Sequence, residues 1–87
     1  MENTITYLSG ATTAHIATSG EVTIHTVEIP VTTVNTITFR STAATPVTYF
    51  VLPASTIAGS YLLDGVCGNG LDVVTAAGDV LIVNSNQ

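Results

Sequence analysis

Short segments rich in β-branched residues recur about every 8–12 residues from Gly20 onward, and glycine or proline separates them. Pro30 and Pro53 each end such a segment, because proline has no N–H to donate to a central ladder. The chain also holds 16 threonines and no lysine, a composition that suits pleated, half-buried surfaces better than helices. We therefore predict an all-β fold: a small antiparallel β-sandwich, jelly-roll-like or a partial barrel, of about six to eight strands.

The apolar pattern places six strands after the first twenty residues. The predicted strands are 21–29, 34–40, 47–52, 61–66, 71–75 and 80–83. In the first of them the apolar positions change face near His25-Thr26, which predicts a bulge or a strand crossing between sheets. Residues 54–59 form a single helical turn or a loop, and Asp64-Gly65 predicts a turn inside the fourth of these strands.

Residues 1–20 differ from the rest of the chain, so we divide it into an N-terminal arm or edge strand (1–20) and a β-sandwich domain (21–87). Within the arm, Ile5, Tyr7 and Leu8 suggest one short strand, and small polar residues follow it. Because chain termini are seldom ordered without a partner surface, these three residues are candidates for contact with a neighbouring subunit.

Segments 71–75 and 80–83 flank Gly78, which predicts a β-hairpin with this glycine at a positive φ. The second segment is apolar on both faces: Val80 and Ile82 lie on one side, Leu81 and Val83 on the other. A two-layer sandwich covers one face of each sheet, so either pair is a candidate for subunit packing.

Chain length favours an oligomer as well. An 87-residue chain buries only a little over ~60% of its unfolded surface, and no disulfide framework supports it. We expect a homo-oligomer, with a trimer favoured over a dimer.

Charge is scarce: charged residues are 8% of the chain, with six acids, Arg40 as the one base and a net charge of −5. One cation cannot neutralise a track of phosphates, so we expect no nucleic-acid partner. No apolar run is long enough to span a bilayer, and the first residues have neither a basic nor an apolar region typical of a secretory signal. We therefore expect no membrane partner.

Four groups of residues could in principle carry chemistry, and the pattern around each favours a structural interpretation. Cys67 has no base beside it in sequence, so we expect a buried, inert thiol. His15 and His25 lack the ligand spacing of a metal site. The three aspartates do not match a calcium loop. The glycines at 65, 68 and 70 do not precede a helix whose N-terminus could hold a phosphate. We predict no catalytic residue, no cofactor and no metal, and hence no enzyme.

Four stretches together resemble the small structural proteins of tailed bacteriophages. They are TITFR at 36–40, FVLPA at 50–54, GLDVVT at 70–75 and GDVLIV at 78–83. The resemblance spans residues 20–84 and is a pattern of strands and turns. It implies a compact β-sandwich of the head decoration (cement) type, found on virions.

The function implied is that of a virion structural protein which binds the outer surface of the capsid and stabilises the head. The partner implied is the major capsid protein, which Ile5, Tyr7 and Leu8 of the arm would then contact. The place of synthesis implied is the host cytoplasm. Two alternatives remain open: a fibre or tail module that binds a host surface glycan or protein, and a tail or neck structural subunit. Copy number distinguishes them, because cement proteins are present in many more copies per particle than fibre proteins.

Overall fold

A computed structural model describes residues 3–87 of the chain. All regular structure in this range is β, and no helix there is long and apolar enough to cross a membrane. The eight strands are β1 (Asn3–Ser9), β2 (Thr12–Ala17), β3 (Val22–Ile29), β4 (Ile37–Arg40), β5 (Thr48–Leu52), β6 (Gly59–Cys67), β7 (Leu71–Thr75) and β8 (Val80–Asn86).

The strands form two four-stranded antiparallel sheets, with the orders β1-β8-β3-β6 and β2-β7-β4-β5. The pairs β1 with β8, β2 with β7, β3 with β6 and β4 with β5 are nested, as in one long ribbon folded back on itself. Winding that ribbon brings β8 against β3 and β7 against β4. This is the jelly-roll arrangement of a β-sandwich, and the predicted fold class is confirmed.

The core lies between the sheets and follows the period of two that strands impose. Ile37 and Phe39 of β4 and Leu81 and Val83 of β8 are fully buried. The Phe39 ring stacks on Phe50 of the neighbouring strand at a centroid distance of 4.2 Å. Residues of both sheets therefore share one apolar layer.

The change of face in β3 is a bulge. The pairing register of β3 shifts between Ile24 and Thr26 against both of its neighbours. Because the extra residue reverses the alternation, Ile24 before the bulge and Val27 after it both point into the core.

Two local predictions were wrong. The turn expected at Asp64-Gly65 is absent, because both residues lie inside the continuous strand β6, where Asp64 has a φ of 48° at the register shift. The segments on either side of Gly78 are not a hairpin either: β7 belongs to one sheet and β8 to the other. Gly78 does have a positive φ, 91°, but the connection carries the chain across the sandwich. The local sequence does not show whether such residues form a turn, a strand bulge or a crossing between sheets. The pairing of each strand with distant parts of the chain determines which one forms.

The N-terminal segment supplies one edge strand to each sheet, β1 to the first and β2 to the second. Leu8 and Ala17 from these strands are buried in the core. Segment 54–59 is a loop that leads into β6, without a helical turn. Met1 and Glu2, the start of the predicted arm, lie outside the described residues.

Hydrogen bonds hold the loops together at each end of the sandwich. The end that we call the Asp79 end contains the loops at 10–11, 30–36, 53–58 and 76–79. There, the buried Asp79 carboxylate accepts the backbone N–H of Val34 at 2.8 Å and of Asn35 at 3.2 Å through Oδ1. The carbonyl of Asp79 accepts the N–H of Gly10 at 2.9 Å.

The opposite end, which we call the Tyr49 end, contains the loops at 18–21, 41–47 and 68–70. The hydroxyl of Tyr49 donates to the Gly70 carbonyl at 3.0 Å and accepts the Asn69 N–H at 3.0 Å. The N–H of Gly70 donates to the Gly20 carbonyl at 2.7 Å. Both ends are therefore closed by specific polar contacts, which leaves the sheet faces as the open surfaces.

Candidate assembly surfaces

The outer face of the β1-β8-β3-β6 sheet, here called face A, exposes four large hydrophobic side chains. Ile5 (72% exposed) and Tyr7 (65%) lie on edge strand β1, and Leu62 (73%) and Val66 (62%) lie on edge strand β6. Isolated exposed hydrophobics are ordinary, but several on one sheet face are typical of an interaction surface. Both margins of face A therefore present apolar contacts.

Polar residues lie between these margins. In strand register, Ile5 is opposite Asn84, Asn84 is opposite Thr26, and Thr26 is opposite Leu62. The neighbouring row runs from Tyr7 through Ile82 and Glu28 to Ser60.

A shallow groove of about 240 Å³ follows these rows, lined by Ile5, Thr26, Glu28, Ile82 and Asn84. The Oδ1 atoms of Asn84 and Asn86 are covered, yet have no hydrogen-bond partner within residues 3–87. Face A therefore combines exposed apolar side chains at its margins with a shallow groove between them.

The outer face of the β2-β7-β4-β5 sheet, face B, is more polar. Nδ1 of His15 lies 2.6 Å from Oδ1 of Asp72 on the adjacent strand, and these side chains are 65% and 10% exposed. Arg40 is opposite Asp72 on its other side, and its Nε has no hydrogen-bond partner among the described residues. Asp72 orients the imidazole, and this bond is the one hydrogen bond of the His15 side chain within residues 3–87.

The second histidine has a looser contact. Nδ1 of His25, at the β3 bulge, lies 3.5 Å from Oδ1 of the exposed Asp64. Across the part of the chain that the structure describes, no three His, Cys, Asp or Glu side chains converge on a metal-binding geometry.

Cys67 is the last residue of β6 and is 3% exposed, which confirms that the thiol is buried. Burial raises the pKa of the Cys67 thiol, because desolvation disfavours the thiolate. The thiolate is the reactive form, so this environment lowers the nucleophilicity of Cys67.

The seven candidate interface residues divide into two groups. Leu8, Leu81 and Val83 fill the core of this chain. Ile5 and Tyr7 are exposed, and Val80 and Ile82 alternate with the core residues of β8 and are half-buried on face A. The alternative left open for β8 is thereby decided: Leu81 and Val83 point inward.

Sequence reasoning missed two exposed side chains of face A, Leu62 and Val66. The alternation of the strand indicates their exposure. Leu62 and Val66 occupy the same alternate positions as Asp64, whereas Tyr61 and Leu63 occupy the other positions and pack against the core. The predicted turn at Asp64-Gly65 hid this alternation.

Comparison of the chain with protein-family models, curated proteins and solved structures gives no match. Function must therefore be inferred from the two faces themselves.

Proposed function

We propose that this chain is a non-enzymatic structural protein of a virus particle, a head decoration protein that binds the outer surface of the capsid through face A. The observation that carries the proposal is the exposure of Ile5, Tyr7, Leu62 and Val66 on one side of the sandwich. Docking of such a face on a protein shell removes apolar surface from water, which is the main favourable contribution to most protein association.

Charge supports a position outside the shell. The net charge is −5 and Arg40 is the one basic residue other than histidine. An acidic protein gains nothing from packaged DNA, whereas a face with few charges loses little solvation on docking. A protein that binds only the assembled lattice stabilises that lattice by mass action, which is the physical basis of a cement function.

Thermal release of DNA tests this function. Particles that lack the protein are heated alone and after adding back the wild-type chain. We expect DNA release at lower temperature without the protein and recovery on its addition. Equal release temperatures with and without it would contradict the proposal.

A matched pair of variants tests whether face A is the docking face. In the first, Leu62→Lys and Val66→Lys place two charges on face A. In the control, Thr13→Lys and Val51→Lys place two charges at exposed edge positions of face B. Burial of a leucine or valine contributes about 1.5–3 kcal/mol each, so the first variant should bind shells at least about 100-fold more weakly. The control should bind like the wild type; equal weakening of both would contradict docking through face A.

A second candidate is a fibre or tail module that binds a host surface. The observation that favours it is the exposure of Val31, Val34 and Ile57 on the loops of the Asp79 end, because loops at one end of a sandwich often carry binding residues. The number of copies of the chain per virus particle distinguishes the two candidates. Hundreds of copies indicate a decoration protein, and a few copies indicate a fibre protein.

A further inference from the structure

Four edge strands border the two sheets, and three of them have an interrupted pairing register. The register shifts between His15 and Ala17 in β2, between Leu62 and Gly65 in β6, and between Thr48 and Phe50 in β5. Such bulges protect sheet edges against pairing with another chain. Strand β1 differs, because its seven residues pair with β8 without any shift.

The free side of β1 has no other protection. The strand contains no proline and no charged residue between Asn3 and Ser9. Within residues 3–87, its backbone forms no hydrogen bonds beyond those to β8. Alternate N–H and C=O groups of a regular edge strand point outward and can pair with one further strand.

The positions of the acidic side chains indicate which strands of two copies can pair. Two copies of a chain with a net charge of −5 repel each other, so a stable contact must keep acidic side chains apart. If two β1 strands pair, the nearest acid of the joined sheet among residues 3–87 is Glu28 on β3, and the two copies of Glu28 lie five strand spacings apart, about 24 Å. That distance exceeds the Debye length of about 8 Å. Pairing of two β6 strands would instead bring their Asp64 side chains close together.

We infer that a second copy of this chain docks on the free edge of β1, so that two β1 strands pair antiparallel and the two β1-β8-β3-β6 sheets form one eight-stranded sheet. A two-fold axis at Thr6 places Ile5 of one copy opposite Tyr7 of the other, twice. Aromatic and β-branched residues are favourable cross-strand partners. The contact is isologous and closes as a dimer, in place of the trimer favoured by sequence, and it does not depend on the proposed function.

The size of the contact sets its strength. Seven residues of strand extend about 24 Å, and one strand pair of this length is the whole of the proposed backbone contact. Standard interfaces bury about 800 Å² per partner. We therefore expect a weak dimer, with a concentration-dependent equilibrium in the micromolar range or above.

Sedimentation equilibrium of the full chain from about 10 μM to about 1 mM tests this inference, with circular dichroism as the control for folding. One variant carries Ile5→Lys and Tyr7→Lys, which place like charges opposite each other at both contacts. A second carries Ile5→Lys and Tyr7→Glu, which place opposite charges there. A matched control carries Leu62→Lys and Val66→Lys on β6, with the same charge change as the first variant.

The wild type, the Lys/Glu variant and the β6 control should dimerise, and the Lys/Lys variant should dimerise at least about tenfold more weakly, because like charges directly opposite are destabilising. A wild type that is monomeric at the highest concentration, or trimeric, would overturn the inference. So would a Lys/Lys variant that dimerises normally, a Lys/Glu variant that fails to recover, or a β6 control that loses the dimer. The Leu62→Lys and Val66→Lys variant separates this dimer from the proposed function, because it should keep the dimer while shell binding through face A is lost.

Discussion

The two ends of the sandwich are closed by different chemistry. At the Asp79 end, a buried carboxylate that is 1% exposed accepts two backbone N–H groups from the loop at 30–36, and its Oδ2 has no partner among the described residues. At the Tyr49 end, a phenol hydroxyl joins the loop at 68–70, and Gly70 passes close to neighbouring backbone. One end therefore depends on a charged acceptor and the other on shape, so substitutions should affect them differently.

The largest effect is expected at the Tyr49 end, from Gly70→Ala. Gly70 has a φ of 66°, and an added Cβ would lie 2.9 Å from the backbone oxygen of Ala17. Left-handed backbone costs an alanine about 1–2 kcal/mol, and the overlap adds about 1–3 kcal/mol. Urea denaturation should show a loss of about 3 kcal/mol or more.

The matched control lies at the Asp79 end. Gly10 has a φ of 78°, but an added Cβ meets nothing within 4 Å. Gly10→Ala should therefore lose only about 1 kcal/mol. Equal losses for the two variants would show that the close approach at Gly70 is unimportant.

The next effect tests the carboxylate. Asp79→Ala leaves the N–H groups of Val34 and Asn35, which lie in partly buried hydrogen bonds, without their acceptor, and each lost hydrogen bond of this kind costs about 1–1.5 kcal/mol. We expect a loss of about 2–3 kcal/mol in unfolding free energy and faster amide exchange at both residues. Asp79→Asn keeps an oxygen acceptor, so it should lose less; if it loses as much as the alanine variant, the negative charge is the essential feature.

A smaller effect is expected from Tyr49→Phe, which removes the hydroxyl between Asn69 and Gly70. Asn69 is exposed, so water can replace part of the interaction, and the loss in unfolding free energy should be about 1 kcal/mol. Tyr7→Phe removes an exposed hydroxyl and should have no measurable effect. If the Tyr49→Phe variant is as stable as the Tyr7→Phe variant, the Tyr49 hydroxyl does not stabilise this end of the sandwich.

The smallest effect is the pH dependence due to Cys67, which precedes the loop at 68–70. Burial raises the pKa of the Cys67 thiol, so above the ordinary thiol pKa of about 8.5 the unfolded chain loses this proton before the folded chain does. The contribution of the buried thiol is complete below that pH and declines as pH rises through the raised pKa. Unfolding free energies of the wild type and Cys67→Ala should diverge in slope above about pH 8.5; parallel slopes would contradict this.

The difference between the ends also shows where sequence reasoning failed. Asp79 follows Gly78 in a sequence that is typical of a turn, whereas its carboxylate accepts hydrogen bonds from a loop more than forty residues away in sequence. The partnership of His15 with Asp72 was missed for the same reason, since 57 positions separate them. No local pattern contains either contact.

By itself, the sequence determined the β class, most strand positions, the change of face near His25, the positive φ of Gly78 and the burial of Cys67. Each of these depends on properties of neighbouring residues: period-two alternation, β-branching, and the φ range that glycine allows. Only the tertiary structure decided that β7 and β8 lie in different sheets, that Leu81 and Val83 point inward, and that Leu62 and Val66 share face A with Ile5. A strand that is apolar on both faces can be inverted without local cost, so its orientation is set by the partners that the jelly roll brings from distant parts of the chain.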